Sequence, residues 1–277
     1  MKVNKFMSAE KLKELFIFIS QGIINTYKSK WGKIIKIFDK VEWFEIDNVE
    51  GYFGWLDNEP DTIYLLFEGS DEKKDWWQNF KIWIKLKTNN IKNLFLKNVK
   101  EENKNSLIVP YGNIDSDIKV AKGFIEDYFK IRNFIQEKLK GYKKIISGAH
   151  SKGHTLTGYS LLDFQFNNPD FPKENLIGIT EGGPRMGNKA FCDSFNKRVP
   201  YFFRIVNGED YVTKVPLNIQ FYWHFGIKIH IGFYNPICWI PFIRPIGGLY
   251  HYPKKYIKNI GKIKIKYLKK ILSKINY

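Results

Sequence analysis

Two cysteines in 277 residues, Cys192 and Cys238, stand 46 positions apart, in no C-x-x-C pair and with no histidine at ligand spacing. A disulfide framework, a zinc site and a thiol redox motif all need more than this, so both thiols read as buried core groups and no metal is expected. Arginine is scarce too: there are five, and lysine supplies nearly all of the 45 basic residues that outnumber 28 acids and give a formal charge of +17. A surface built to read nucleic acid favours arginine, whose planar fork pairs two oxygens at once. With Ile, Asn, Tyr and Phe also abundant, the lysine excess matches an AT-rich coding sequence, and nucleic acid is the weaker partner reading. No apolar stretch approaches the roughly 18 residues of a transmembrane helix. The apolar run at 15–19 is cut by Ser20, Gln21 and Gly22 and preceded by Glu10 and Glu14, which fits neither a signal peptide nor an anchor. The expected compartment is therefore cytoplasmic, with at most peripheral contact to a membrane.

What is plentiful is apolar and aromatic: 44% of residues are hydrophobic, with 23 Phe, 16 Tyr and 8 Trp. Such a chain buries a large core without staples, and global disorder is excluded. Residues 8–38 carry Leu12, Leu15, Phe16, Ile19, Ile23 and Ile24 at helical spacing. Short apolar runs at 41–46, 52–55 and 62–67, separated by turn residues, read as strands, as does 80–86. Residues 89–117 are rich in Asn and Lys and read as loop or short edge structure. From Ala121 to Gly141 the pattern is helical; 142–147 is a strand, 156–166 a helix, and 176–180 and 202–206 are further strands. Alternation of strand and helix predicts an α/β fold, a mostly parallel sheet flanked by helices, in a single domain over 1–277.

The most informative junction is Ser147-Gly148-Ala149-His150-Ser151-Lys152-Gly153, where a predicted strand meets a predicted helix. A small-x-Ser-x-small turn of this kind holds the serine at strained backbone angles, and the flanking residues must be small to clear the neighbouring strand and helix. A hydroxyl presented there, at a helix N-terminus, can attack a carbonyl while backbone N–H groups receive the developing charge.

This turn resembles the elbow of the class 3 lipases, an α/β-hydrolase family whose usual form is G-H-S-L-G-G. Other motifs follow in the family's order. Phe67-Glu68-Gly69-Ser70 with Asp75-Trp76 is similar to F-R-G-T/S…D-W, Lys122-Gly123-Phe124 to H-x-G-F, and Gly183-Pro184-Arg185-Met186-Gly187-Asn188 to G-x-P-R-x-G-N. Arg204-Ile205-Val206-Asn207 with Asp210, Val215 and Pro216 resembles R-x-V-N-x-x-D…P, and His224-Phe225-Gly226 a following H-x-G. Six motifs in order, spanning residues 64–251, are far more specific than one.

The resemblance implies an α/β-hydrolase fold and a Ser-Asp-His triad in that chain order, with an ester or lipid substrate and no cofactor. Ser151 is the implied nucleophile. Asp210, just beyond the strand at 202–206, is the implied acid, with Glu209 one position off the motif. His251, in Gly247-Gly248-Leu249-Tyr250-His251, matches the family's late loop and is the implied base; His224 is the alternative. His150 matches a position regarded as structural. The implied oxyanion donors are the amides of Lys152 and Ser70.

Three departures bear on substrate preference: Glu68 stands for the usual Arg, Ala121 for His and His154 for Gly. Lys152 puts a cation beside the nucleophile where an apolar residue is common. Trp76, Trp77 and Phe80, and the apolar loop at 236–245, are candidates either for an acyl-chain wall or for plain packing. Residues 254–277 carry nine lysines and no acid, with Ile257, Ile260, Leu268, Ile271, Leu272 and Ile275 near helical spacing, Gly261 as a divider and a strand-like alternation at 263–265. A basic amphipathic segment suits an anionic membrane surface, or packs on the domain with solvated lysines. Two readings follow: a lipase-like carboxylic-ester hydrolase, and a catalytically inactive hydrolase-fold module that binds anionic membrane through its basic surface.

Overall fold

A computed structural model describes residues 6–28, 36–69, 106–108, 118–215, 222–233 and 245–275. Ser70, the Trp76–Trp77 pair, the strand expected at 80–86, Cys238 and residues 236–244 of the apolar loop lie outside the described residues.

The chain opens with helix α1 (Ala9–Lys28), whose N-terminus is capped where the Ser8 hydroxyl accepts the Lys11 amide at 3.2 Å. Leu12, Phe16, Ile19 and Ile23 form one fully buried stripe, each contributing roughly 1.5–3 kcal/mol of hydrophobic burial. Strands β1 (Lys40–Ile46) and β2 (Val49–Trp55) form a hairpin closed by Asp47 and Asn48. Both turn residues have positive φ, the conformation a two-residue primed turn demands. Strand β3 (Thr62–Phe67) pairs antiparallel with β2, and β4 (Ser106–Ile108) with β5 (Lys119–Ala121) in a separate ribbon. Then helices and strands alternate: α2 (Lys122–Leu139), β6 (Lys144–His150), α3 (Gly153–Asn167), β7 (Leu176–Glu181), α4 (Lys189–Arg198), β8 (Phe202–Asn207) and β9 (Ile227–Ile231). Helices α5 (Pro245–Tyr250), α6 (Pro253–Ile260) and α7 (Ile265–Leu272) finish the chain.

The main sheet has seven strands in the order β1-β2-β3-β6-β7-β8-β9, parallel from β3 to β9. Its central strands are buried at nearly every position because both faces are covered. Ile63, Leu65 and Phe67 join a core with residues of α2, α3 and α4, whereas Tyr64 and Leu66 join a second core with α1, α6 and α7. This is the α/β-hydrolase arrangement. No helix among the described residues is long and apolar enough to cross a membrane.

The C-terminal segment differs from the strand-containing amphipathic tail that its pattern suggests. It is two helices divided at Gly261, and Ile263 is buried between them rather than in a strand. Tyr256, Ile260, Leu268 and Leu272 are buried in the same core as α1, so the apolar face is spent inside the molecule and the lysines point out.

Candidate active site

The nucleophile elbow is built by close packing. Strand β6 ends at His150, α3 begins at Gly153, and Ser151 between them sits at φ +56°, a left-handed conformation that is uncommon and strained for a residue with a side chain. The Ser151 amide donates to the Glu181 carbonyl at 2.8 Å, pinning the turn to β7. A Cβ on Gly153 would stand 2.8 Å from the Ala149 Cβ and 2.9 Å from the Glu68 carbonyl oxygen, which is why these flanking positions are small.

Around the elbow the chain brings together the three residues singled out for catalysis. His251 Nε2 lies 2.9 Å from Ser151 Oγ, and its Nδ1 lies 2.8 Å from Asp210 Oδ2. Asp210, fully buried beyond β8, also accepts the Val212 amide through Oδ1 at 3.0 Å. This arrangement makes Nδ1–H the donor to the carboxylate and leaves Nε2 to accept the serine proton. The alternatives lie elsewhere: Glu209 pairs with Lys214, and His224 Nε2 bonds the Thr213 carbonyl at 2.7 Å.

Two supports were not apparent from the motifs. Tyr256, fully buried on α6, donates its hydroxyl to Asp210 Oδ2 and accepts the Asn207 amide at 3.3 Å. Burial, reinforced by the Asp210 charge, holds its phenol well above the usual range, so it stays a donor. His150 packs its ring 4.3 Å from that of His251 and donates Nε2–H to the His251 carbonyl at 2.6 Å, while its Nδ1 accepts the Tyr27 hydroxyl at 2.8 Å. Burial, and then the proximity of His251, keep His150 neutral. Tyr256 and Asp210 are 46 positions apart and Tyr27 and His150 are 123 apart, so no local spacing could reveal either contact.

Of the two expected oxyanion donors, Lys152 alone lies among the described residues. The Lys152 amide stands at the N-terminal end of α3, with no acceptor among the described residues. Gly69, the residue before Ser70, comes so near the nucleophile that a Cβ there would be 3.2 Å from the Ser151 Cβ. The Lys152 side chain turns away to an ion pair with Asp127 of α2, so its cation is tied down rather than poised over the serine. His154 fits where glycine is usual because Gly183 faces it: a Cβ on Gly183 would be 2.2 Å from its ring. The imidazole stacks on Phe225 with centroids 4.9 Å apart and bonds Thr180 Oγ1 through Nδ1 at 2.8 Å. Burial, and then the Arg204 charge, lower its pKa to about 3.

A mostly parallel sheet with a strained serine after one central strand, and a carboxylate and a histidine following in chain order, defines an α/β-hydrolase. The family description "Lipase (class 3)" matches residues 64–220, more than half of the chain, and the protein belongs to that family. It is 27% identical over 209 residues to a lipase of Rhizopus niveus, covering 72% of this chain and 45% of that protein. Against a lipase of Rhizomucor miehei it is 26% identical over 163 residues, 56% of this chain and 38% of that one. The chain thus spans less than half the length of these curated relatives. In structure it is similar to lipase II from Rhizopus niveus, with a TM-score of 0.62, 20% identity, and coverage of 88% of this chain and 94% of that one. The triacylglyceride lipase of Rhizomucor miehei gives a TM-score of 0.61 at 21% identity, with 81% and 82% covered.

Proposed function

We propose that the protein is a serine carboxylic-ester hydrolase, lipase-like in substrate class, and that Ser151, His251 and Asp210 are its triad. The observation that carries this reading is the continuous hydrogen-bonded line from Ser151 Oγ through His251 to Asp210, ending on a serine held at positive φ.

The chemistry follows from the atoms in place. Ser151 Oγ attacks the ester carbonyl carbon as its proton passes to His251 Nε2, and Asp210 stabilises the imidazolium through Nδ1–H. Charge on the carbonyl oxygen falls to the Lys152 amide and, by family likeness, to Ser70; each such donor is worth roughly 3 kcal/mol in the transition state. Collapse expels the alcohol, which takes the proton from Nε2, and leaves the acyl group on Ser151. Water, deprotonated by the same imidazole, then releases the carboxylic acid and restores the serine. Ester, water and these residues balance every proton and bond.

The substrate class we infer is an acylglycerol, phospholipid or other acyl ester, and the relatives named lipases support the ester-hydrolase part of that reading. The outward lysines of 254–277 supply an electrostatic contact for an anionic lipid surface, while the apolar side of that segment is used in the core. The inactive-scaffold alternative is disfavoured because a retained triad with its hydrogen bonds is what a dead descendant would lose first.

The test is hydrolysis of p-nitrophenyl esters of graded chain length, with fluorophosphonate labelling alongside. Ser151→Ala is expected to lose activity by about 10⁴-fold or more and to abolish labelling, and His251→Ala to match it. His224→Ala, which leaves the Ser151 line untouched, should keep most activity. Equal rates for wild type and Ser151→Ala would refute the assignment.

A further inference from the structure

A second concave surface lies beside the loop that carries His251. It is a cavity of about 700 Å³ between the end of β9 and the last two helices. Four lysines converge on it: Lys255 and Lys258 from α6, Lys262 from the connection, and Lys264 at the N-cap of α7. The lining contains no carboxylate, and none of the four has a carboxylate partner among the described residues. By contrast Lys269, on the same segment but outside the cavity, pairs with Glu10.

The neutral groups complement that charge. The Tyr267 hydroxyl accepts the His230 amide at 3.1 Å, which leaves its own proton to donate. Asn259, which bonds Asn207 with one amide proton, shares the lining. The wall toward the active site is aromatic: Tyr250, immediately before His251, lies with its ring 5.8 Å from Lys255 Nζ, and Phe233 stands 75% exposed at the rim.

The geometry points to a binding site for a multiply charged phosphate group, either as a free phosphate compound or as the headgroup of an anionic lipid. Ammonium groups are compact point charges that suit tetrahedral anions from several directions. A phosphomonoester brings about −1.5 to −2 charge to one centre, whereas a carboxylate brings one. Unpaired lysines held together repel one another, so an anion that gathers them binds the folded state selectively and stabilises it. An aromatic rim beside this exposed cationic lining matches an amphiphile whose phosphate meets the lysines.

The experiment separates this groove from the diffuse charge of the whole chain. Binding of pyrophosphate is measured by calorimetry at fixed ionic strength, and binding to phosphatidylcholine vesicles with and without phosphatidic acid by co-sedimentation. Two triple variants remove the same charge: Lys258→Gln/Lys262→Gln/Lys264→Gln in the groove, and Lys266→Gln/Lys270→Gln/Lys274→Gln outside it. Circular dichroism of both verifies the fold, and these readouts are independent of ester hydrolysis. The groove variant is expected to lose at least about tenfold in affinity, a gap of about 1.4 kcal/mol, with the outer variant within about twofold of wild type. Groove-dependent binding of pyrophosphate alone identifies a soluble ligand, and groove-dependent binding of phosphatidic acid vesicles identifies a lipid. Equal losses in the two variants, or no binding of either probe, overturns the proposal.

Discussion

Burial sets the ionisation of the side chains around the triad, and the consequences have opposite signs. His154 is held at about 3 against an ordinary 6.5, and burial lowers His150 and His224 in the same direction. As pH falls below 6.5 the unfolded chain takes up protons that the folded protein refuses, so this contribution to stability is present above 6.5 and lost on acidification. Glu181 is the reverse case. Burial raises its pKa to about 8 from 4.5, against the lowering effect of the Ser20 hydroxyl that bonds it. Between those limits the folded state keeps a proton that the unfolded chain has released, so stability is full below 4.5 and falls as pH climbs to 8. From 6.5 to 8 the unfolded histidines no longer titrate and Glu181 sets the slope. Glu181→Gln keeps the shape, offers Ser20 an acceptor and cannot ionise. Urea unfolding should find the variant more stable than wild type at pH 8, by on the order of 2 kcal/mol, and nearly equal at pH 5. Parallel curves across that range would show that Glu181 is not the titrating group.

At the scale of elements, α6 and α7 belong to the hydrolase body. Tyr256, Ile260, Leu268 and Leu272 are buried against α1, and Tyr256 reaches Asp210. At roughly 1.5–3 kcal/mol for each buried side chain, their removal rivals a typical total stability of about 5–15 kcal/mol. Truncation after Pro253 should therefore abolish the cooperative thermal transition and expose dye-binding apolar surface; a transition near the wild-type Tm would contradict that packing. Tyr256→Phe isolates the hydroxyl. It keeps the ring, loses a hydrogen bond to a charged acceptor worth about 1.5–3 kcal/mol, and should lower kcat about tenfold or more with KM little changed. Unchanged kcat would mean that Val212 and His251 suffice to hold the carboxylate. Strands such as β3 and β8 were legible in the sequence because burial on both faces makes them short, mostly apolar runs, as in the TIYLLF of Thr62–Phe67. Helix α4 was not, since only Phe191, Cys192 and Phe195 of its ten residues face the core. Strand β9 alternates Ile with Lys228 and His230, a signal present but hidden behind the adjacent H-x-G motif. The alternation at 263–265 misled because Ile263 is buried in a turn between helices, where side-chain direction owes nothing to a pleat. Ser151 was legible from the small residues that its packing demands. The contacts of Tyr256, Tyr27 and Gly183 were not, because they exist only once distant segments meet.

The whole molecule carries a formal charge of +17, and most of the proposed chemistry is shielded from it. Ser151 and Asp210 are buried, and the nearest lysine to the nucleophile in sequence, Lys152, is paired with Asp127. The lysines of α6 and α7 are mostly exposed and lack acids among them. On the proposed reading, charge should thus govern how the protein meets a lipid interface rather than how it cleaves an ester. Salt separates the two, because the screening length shrinks from about 10 Å at 0.1 M to about 3 Å at 1 M and acts on exposed charges far more than on buried pairs. With a soluble short-chain ester, kcat/KM should change by less than about twofold over that range, since neither the neutral substrate nor the buried triad responds to screening. With the same ester group presented on phosphatidic acid vesicles, the rate should fall steeply with salt, as attraction of about 1 kcal/mol per lysine near the surface is screened. Neutral vesicles should show no such loss. If soluble and vesicle substrates respond to salt alike, the positive surface plays no part in reaching the substrate, and the lysine excess is compositional wherever it lies outside the phosphate groove.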